Sequence, residues 1–153
     1  MSSLELRVPP PVVAVLGGAL MWLAARALPA LGFHLPARAA LALTIGAVGV
    51  LIGVVAFLQF WRVGTTPDPR KPHESAKLVV NGMYRWSRNP MYLGDVVLLG
   101  AWALWLANAA PFVLLPLFVI YINRFQIAPE ERALQARFDP AYSEYRAAVR
   151  RWL

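Results

Sequence analysis

The sequence predicts an all-α integral membrane protein: four transmembrane helices in a single domain over residues 1–153, with a helical C-terminal segment on the cytoplasmic side. Three observations predict it. Hydrophobic residues make up 59% of the chain and charged residues 15%, against about 45–50% and about 25% in an ordinary soluble domain. Three stretches, 8–25, 39–61 and 96–123, carry no charge at all. Finally, 13 of the 15 Lys and Arg residues fall on one side if the chain crosses four times, leaving Arg26 and Arg38 opposite, as the cytoplasmic bias of cations requires.

The same composition excludes several classes. A chain without cysteine has no disulfide framework, thiolate nucleophile or thiolate metal site, and two histidines, His34 and His73, are too few for a protein-ligated zinc centre. No metal site is therefore expected. The net charge of +7 suits a membrane protein with a basic cytoplasmic face, so no nucleic-acid partner is expected.

A bilayer core of about 30 Å needs roughly 20 apolar residues of helix. The first span is placed at about 8–27 and the second at 39–61. A cleaved signal peptide fits the first less well, because Arg7 is a thin basic flank, Leu28 is large for a cleavage site, and Arg26 suits a side chain snorkelling to the interface. Gly46, Gly49 and Gly53 allow the second helix to pack closely on a neighbour. The third charge-free stretch is too long for one span. Asn108 followed by Pro111 divides it into helices at about 90–107 and 110–126. Both termini are then cytoplasmic, in what reads as a bacterial inner membrane.

Two cytoplasmic segments hold more polar chemistry than an anchor needs, 65–89 and 128–153. The proline-rich run 66–72 is an extended loop, and Asn81-Gly82 is a turn. Asn89 is placed as the N-cap, and Pro90 as the first residue, of the third helix. A helix N-terminus beside Arg85 and Arg88 suits a carboxylate or phosphate. The same arginines equally suit lipid headgroups, as Tyr84, Trp86 and Tyr92 suit an interfacial aromatic belt. His73 is a solvated loop histidine or a base. Pro129, Glu130 and Glu131 occupy a first helical turn, where one acid offsets the dipole and two together can hold a cation. Asp95, near the end of a span, needs a partner or a wet cavity.

Across these segments the chain resembles the small integral membrane methyltransferases that include isoprenylcysteine carboxyl methyltransferases and phospholipid N-methyltransferases. The resemblance rests on Leu78, Val79, Gly82, Tyr84 and Arg85; Arg88, Asn89, Pro90, Tyr92 and Gly94; Glu130 and Glu131; and Phe138, Tyr142, Tyr145, Val149 and Arg151. These motifs keep the family's order and spacing over about 65–153. Asn89 stands where many members have histidine, and Asp139 replaces a usual glycine.

The resemblance implies an S-adenosylmethionine site, with S-adenosylhomocysteine as product, at the cytoplasmic face. Gly82, Tyr84, Arg85, Arg88, Asn89, Pro90, Tyr92, Gly94, Glu130, Glu131 and Tyr142 are its expected cofactor-binding residues. Arg88 would take the methionine carboxylate, and Glu130 or Glu131 the ammonium or ribose. The tyrosines would offer faces to adenine or the sulfonium, and the two glycines would admit backbone close to the cofactor. Arg88, Glu131 and His73 are the expected catalytic residues. The acceptor is a lipid-like or prenylated molecule reached from the bilayer, with carboxylate O-methylation ranked ahead of aminolipid N-methylation. A noncatalytic scaffold for membrane lipids, and a reductase-like branch of the superfamily, are the competing readings. A small multidrug carrier is set aside because the first two spans hold no acid.

Overall fold

The computed structural model describes residues 5–6, 8–64 and 77–153. These fold as six α-helices: α1 (Pro10–Ala27), α2 (Arg38–Val63), α3 (Pro90–Leu106), α4 (Ala110–Ile122), α5 (Ala128–Phe138) and α6 (Ala141–Ala148). Prolines set the starts of α1 and α3, and Gly64, at φ +68°, closes α2 in the left-handed conformation. Arg7, the loop 66–72 and His73 lie outside the described residues.

Three helices, rather than the four expected, have the length and hydropathy to cross a membrane: Pro10–Ala27, Arg38–Val63 and the continuous rod Ala110–Phe138. The correction concerns α3, which is apolar but has only 17 residues, about 25 Å at 1.5 Å per residue. Pro90 fixes its start, and Ala107, at φ 49°, turns the backbone left-handed and stops it. The rod is a second difference. Instead of ending and giving way to a fresh helix, α4 passes through a π turn at Asn123–Ile127 straight into α5. Because the Ala128 N–H is bonded to the Asn123 carbonyl, Glu130 and Glu131 do not sit over the free N–H groups of a helix start.

α3 is central: it packs on α2 along most of its length and also touches α1 and α4. The α2–α3 contact is backbone on backbone. A Cβ added to Gly94 would lie 2.9 Å from the Gly49 carbonyl oxygen and 3.0 Å from the Gly53 nitrogen. Small residues here let the helix axes approach, which is how helices associate where lipid removes the hydrophobic drive. Met21, Leu99, Phe118 and Ile122 fill the space between α1, α3 and α4. Outward-facing Leu16, Leu20, Leu43, Leu51, Val113 and Ile120 are exposed, an apolar girdle suited to lipid.

One end of the bundle is closed by short turns. The Asn108 side chain donates to the Leu28 carbonyl at 2.8 Å and accepts from the Ala110 N–H at 2.9 Å, while the Phe33 N–H bonds to the Ala107 carbonyl at 2.9 Å. At the other end the π turn fastens Glu5, Leu6 and Val8. Buried Gln126 donates to the Val8 carbonyl at 2.8 Å, the Leu6 N–H bonds to the Phe125 carbonyl at 3.1 Å, and Glu5 pairs with Arg132 at 2.8 Å.

The glycine contact gives a direct test. Gly94→Ala is expected to lower unfolding stability in detergent by about 1–3 kcal/mol, the range for overpacking a close contact. Gly100→Ala, on the same helix with nothing within 4 Å of the new Cβ, is expected to leave the unfolding temperature unchanged or slightly raised.

Candidate functional site

At the end where α1 begins and α2 finishes, the helices part around a cavity of about 490 Å³, within the size range of small-molecule sites. Phe57 and Phe60 of α2 form one wall, and Tyr84, Arg88 and Asn89 of the 78–89 segment form another. Tyr92 and Asp95 come from α3, Glu130 and Glu131 from α5, and Tyr142 and Tyr145 from α6. Pro10 and Pro11 close the side nearest α1.

Glu131 is the electrostatic centre. Its carboxylate receives Arg88 Nη2 at 3.1 Å on one oxygen and Arg151 Nη2 at 2.5 Å on the other, with Arg151 Nε also at 3.1 Å. The Arg88 and Glu131 side chains are only 9% and 11% exposed, so the pair works in a poorly screened setting. Arg88 Nε and Nη1 are buried and have no hydrogen-bond partner. A buried guanidinium with open donors beside a cavity is a ready site for a planar anion.

The C-terminal strap holds this arrangement. The Arg88 N–H donates to the Arg150 carbonyl at 3.0 Å, and the Asn89 side-chain amide donates to the Arg151 carbonyl at 2.9 Å. Ser87 Oγ donates to the same carbonyl at 3.4 Å, and Trp152 Nε1 donates to Asn123 Oδ1 at 3.2 Å. Asn89 does occupy the N-cap position of α3, but its side chain makes no cap hydrogen bond there. It is spent on the strap instead.

Tyrosines line the remaining walls. Tyr92 OH donates to Glu130 Oε1, and Tyr145 OH donates to the Tyr84 carbonyl at 2.7 Å. Phe60 meets Tyr84 edge-on at 5.3 Å between centroids. Burial pushes the phenols of Tyr84, Tyr142 and Tyr145 above their ordinary range, so all three are neutral donors at physiological pH.

Of the residues expected to bind a cofactor, Tyr84, Arg88, Asn89, Tyr92, Glu130, Glu131 and Tyr142 line this cavity. Four others are not part of its lining. Gly94 is taken up by the backbone contact with α2. Gly82, at φ +63°, sits against Gln59, whose Oε1 accepts the Met83 N–H at 3.2 Å. Pro90 is buried at the start of α3, and Arg85 is exposed. Sequence reasoning assigned no site role to Arg151, Tyr145, Phe57 or Phe60. The first two carried a signal as members of the C-terminal motif, while the phenylalanines are indistinguishable from other apolar residues of a span.

Together the apolar girdle and the charged, aromatic-walled cavity define an integral membrane protein with a candidate small-molecule cavity at one end of its bundle. The chain belongs to the phospholipid methyltransferase family, whose model matches residues 37–141, and membership carries methyltransferase activity as a general class. An uncharacterized protein of Haemophilus influenzae is 44% identical over 63 residues, which is all of that protein and 41% of this chain. No solved structure matches the chain.

The double clamp sets an order of stability losses. Glu131→Ala leaves Arg88 buried without its counter-charge and is expected to cost about 3–5 kcal/mol. Arg151→Ala leaves Glu131 paired with Arg88, and Arg151 is already 37% exposed, so a loss of roughly 1 kcal/mol is expected. Denaturant unfolding in mixed micelles measures both.

Proposed function

We propose that this protein is an S-adenosylmethionine-dependent methyltransferase acting on a lipid-like acceptor, with the cofactor in the cavity around Arg88. The observation that carries this reading is the pair of unpartnered buried donors, Arg88 Nε and Nη1, in a cavity of suitable size inside a methyltransferase family chain. Either donor suits the methionine carboxylate as a charge-assisted hydrogen-bond partner. Glu131 and Arg151 hold the Arg88 guanidinium in place, so Glu131 acts through Arg88. Glu130, oriented by Tyr92, suits the cofactor's ammonium or ribose hydroxyls, and Tyr84 and Tyr142 suit adenine or the sulfonium.

Bound there, S-adenosylmethionine supplies a methyl group already activated by its positive sulfur. The protein's own work is alignment and exclusion of water: Phe57, Phe60 and the prolines Pro10 and Pro11 supply a dry wall. Among acceptors, a lipid amine suits the cavity through Asp95, whose carboxylate on the wall attracts a cation. This places aminolipid N-methylation ahead of the carboxylate O-methylation that the sequence ranked first. The arginines of the loop before α3, of α5, of α6 and of the C-terminal strap support an orientation in which the cavity end faces the cytoplasm. His73 is kept, with Glu131, as a candidate base for an acceptor that must lose a proton.

Calorimetric titration of S-adenosylmethionine and S-adenosylhomocysteine into detergent-solubilised protein tests the reading. Saturable binding is expected, weakened about tenfold to a hundredfold by Arg88→Ala, the loss expected for charge-assisted hydrogen bonds. Glu131→Gln is expected to weaken it less. Unchanged affinity in both variants overturns the site assignment, and absence of binding by folded parent protein favours a lipid-binding scaffold.

A further inference from the structure

Asp95 stands where two spaces meet. It lines the cavity described above and also a second space of about 540 Å³ between α1 and α3. The second space is otherwise apolar, walled by Val15, Gly18, Trp22, Leu98, Leu99 and Trp102. Trp102 is pinned by a hydrogen bond from Nε1 to the Gly18 carbonyl at 3.0 Å, which fixes one side of the groove. Val15 and Trp22 are exposed on the outward face, so the groove opens toward lipid. The groove, on the membrane face of the bundle, and the charged cavity thus share Asp95 in their linings.

That carboxylate makes no hydrogen bond or ion pair with another described residue. An acid on an apolar helix without a partner is costly and is kept where something neutralises it. The neighbouring acids are already engaged, Glu131 by Arg88 and Arg151 and Glu130 by Tyr92, and neither lines the groove.

We propose that the α1–α3 groove seats an acyl chain of the methyl acceptor and that Asp95 is the acceptor-side carboxylate, holding the cationic amine of the lipid head group where the groove meets the cavity. This rests on the methyltransferase reading above and adds the residue and the route. The ammonium nitrogen gives one proton to an Asp95 carboxylate oxygen. Its freed lone pair forms the bond to the methyl carbon as the carbon–sulfur bond breaks and that electron pair stays on sulfur. The positive charge passes from sulfur to nitrogen, and Asp95 later returns the proton to solvent.

The test uses the full chain in mixed micelles with phosphatidylethanolamine carrying either dioleoyl or dihexanoyl chains. Asp95→Asn is expected to reduce kcat/KM for both lipids at least tenfold while S-adenosylhomocysteine affinity stays within twofold of the parent. Ala19→Trp, which places an indole in the groove from an exposed position on α1, is expected to reduce kcat/KM for the dioleoyl lipid alone. Binding gives a readout independent of turnover. Phosphatidylethanolamine with brominated chains is expected to quench tryptophan fluorescence more than equally brominated phosphatidic acid, and Asp95→Asn is expected to remove the excess. Parent protein that binds S-adenosylhomocysteine, with Asp95→Asn leaving kcat/KM and the excess quenching intact, overturns the inference and leaves the methyltransferase reading standing. Parent protein that does not bind S-adenosylhomocysteine overturns both.

Discussion

The bond between Glu131 and its two arginines is the interaction on which the site depends. One carboxylate joins three segments far apart in sequence: the loop before α3, the start of α5 and the C-terminal strap. Poor solvent access makes each attraction stronger than on a surface, and each separation dearer. The geometry also divides labour within Arg88, whose Nη2 is committed to Glu131 while Nε and Nη1 remain open. A guanidinium held through Nη2 presents its remaining N–H groups in a fixed plane. That is the form of preorganisation a small anionic ligand group exploits.

The glycine seam between α2 and α3 sets where this clamp can form. Close approach between Gly49 and Gly94 leaves no room for ligand there, while Gly53 already lines the cavity. Beyond Gly53, the larger Phe57 and Phe60 hold the α2 end and the loop apart. The cavity thus begins where the small residues stop. The helix carrying Gly94 also carries Tyr92 and Asp95, so the position of α3 against α2 fixes two walls of the site at once.

Much of this was legible in the sequence because its causes are local. Charge-free runs mark lipid-exposed helices, and Asn108 with Pro111 marks a break that backbone chemistry enforces. Arg88, Tyr92, Glu130, Glu131 and Tyr142 emerge from short motifs. What was not legible depends on pairings between distant segments. Nothing local to Gly94 distinguishes a residue that admits a neighbouring helix from one that admits a ligand. Asn89 has the chemistry of a cap, yet the carbonyl of Arg151, 62 positions away, competes successfully for its amide. The π turn was hidden because Arg124 and Gln126 read as the polar end of a span. The bounds of α3 were legible to within a residue, but its apolar sequence was read as a full span although it has only 17 residues.

The unbroken passage from α4 to α5 has a mechanical consequence. With the helix hydrogen-bonded on through the π turn, the carboxylates of α5 ride on the end of a lever whose other arm lies among lipids. At 1.5 Å per residue Glu131 stands roughly 13 Å beyond Ile122, so a tilt of about 5° there displaces it by about 1 Å, the scale on which reacting groups lose alignment. Bilayer thickness, which sets the tilt of embedded helices, therefore acts on the alignment of the site as directly as a substitution within it.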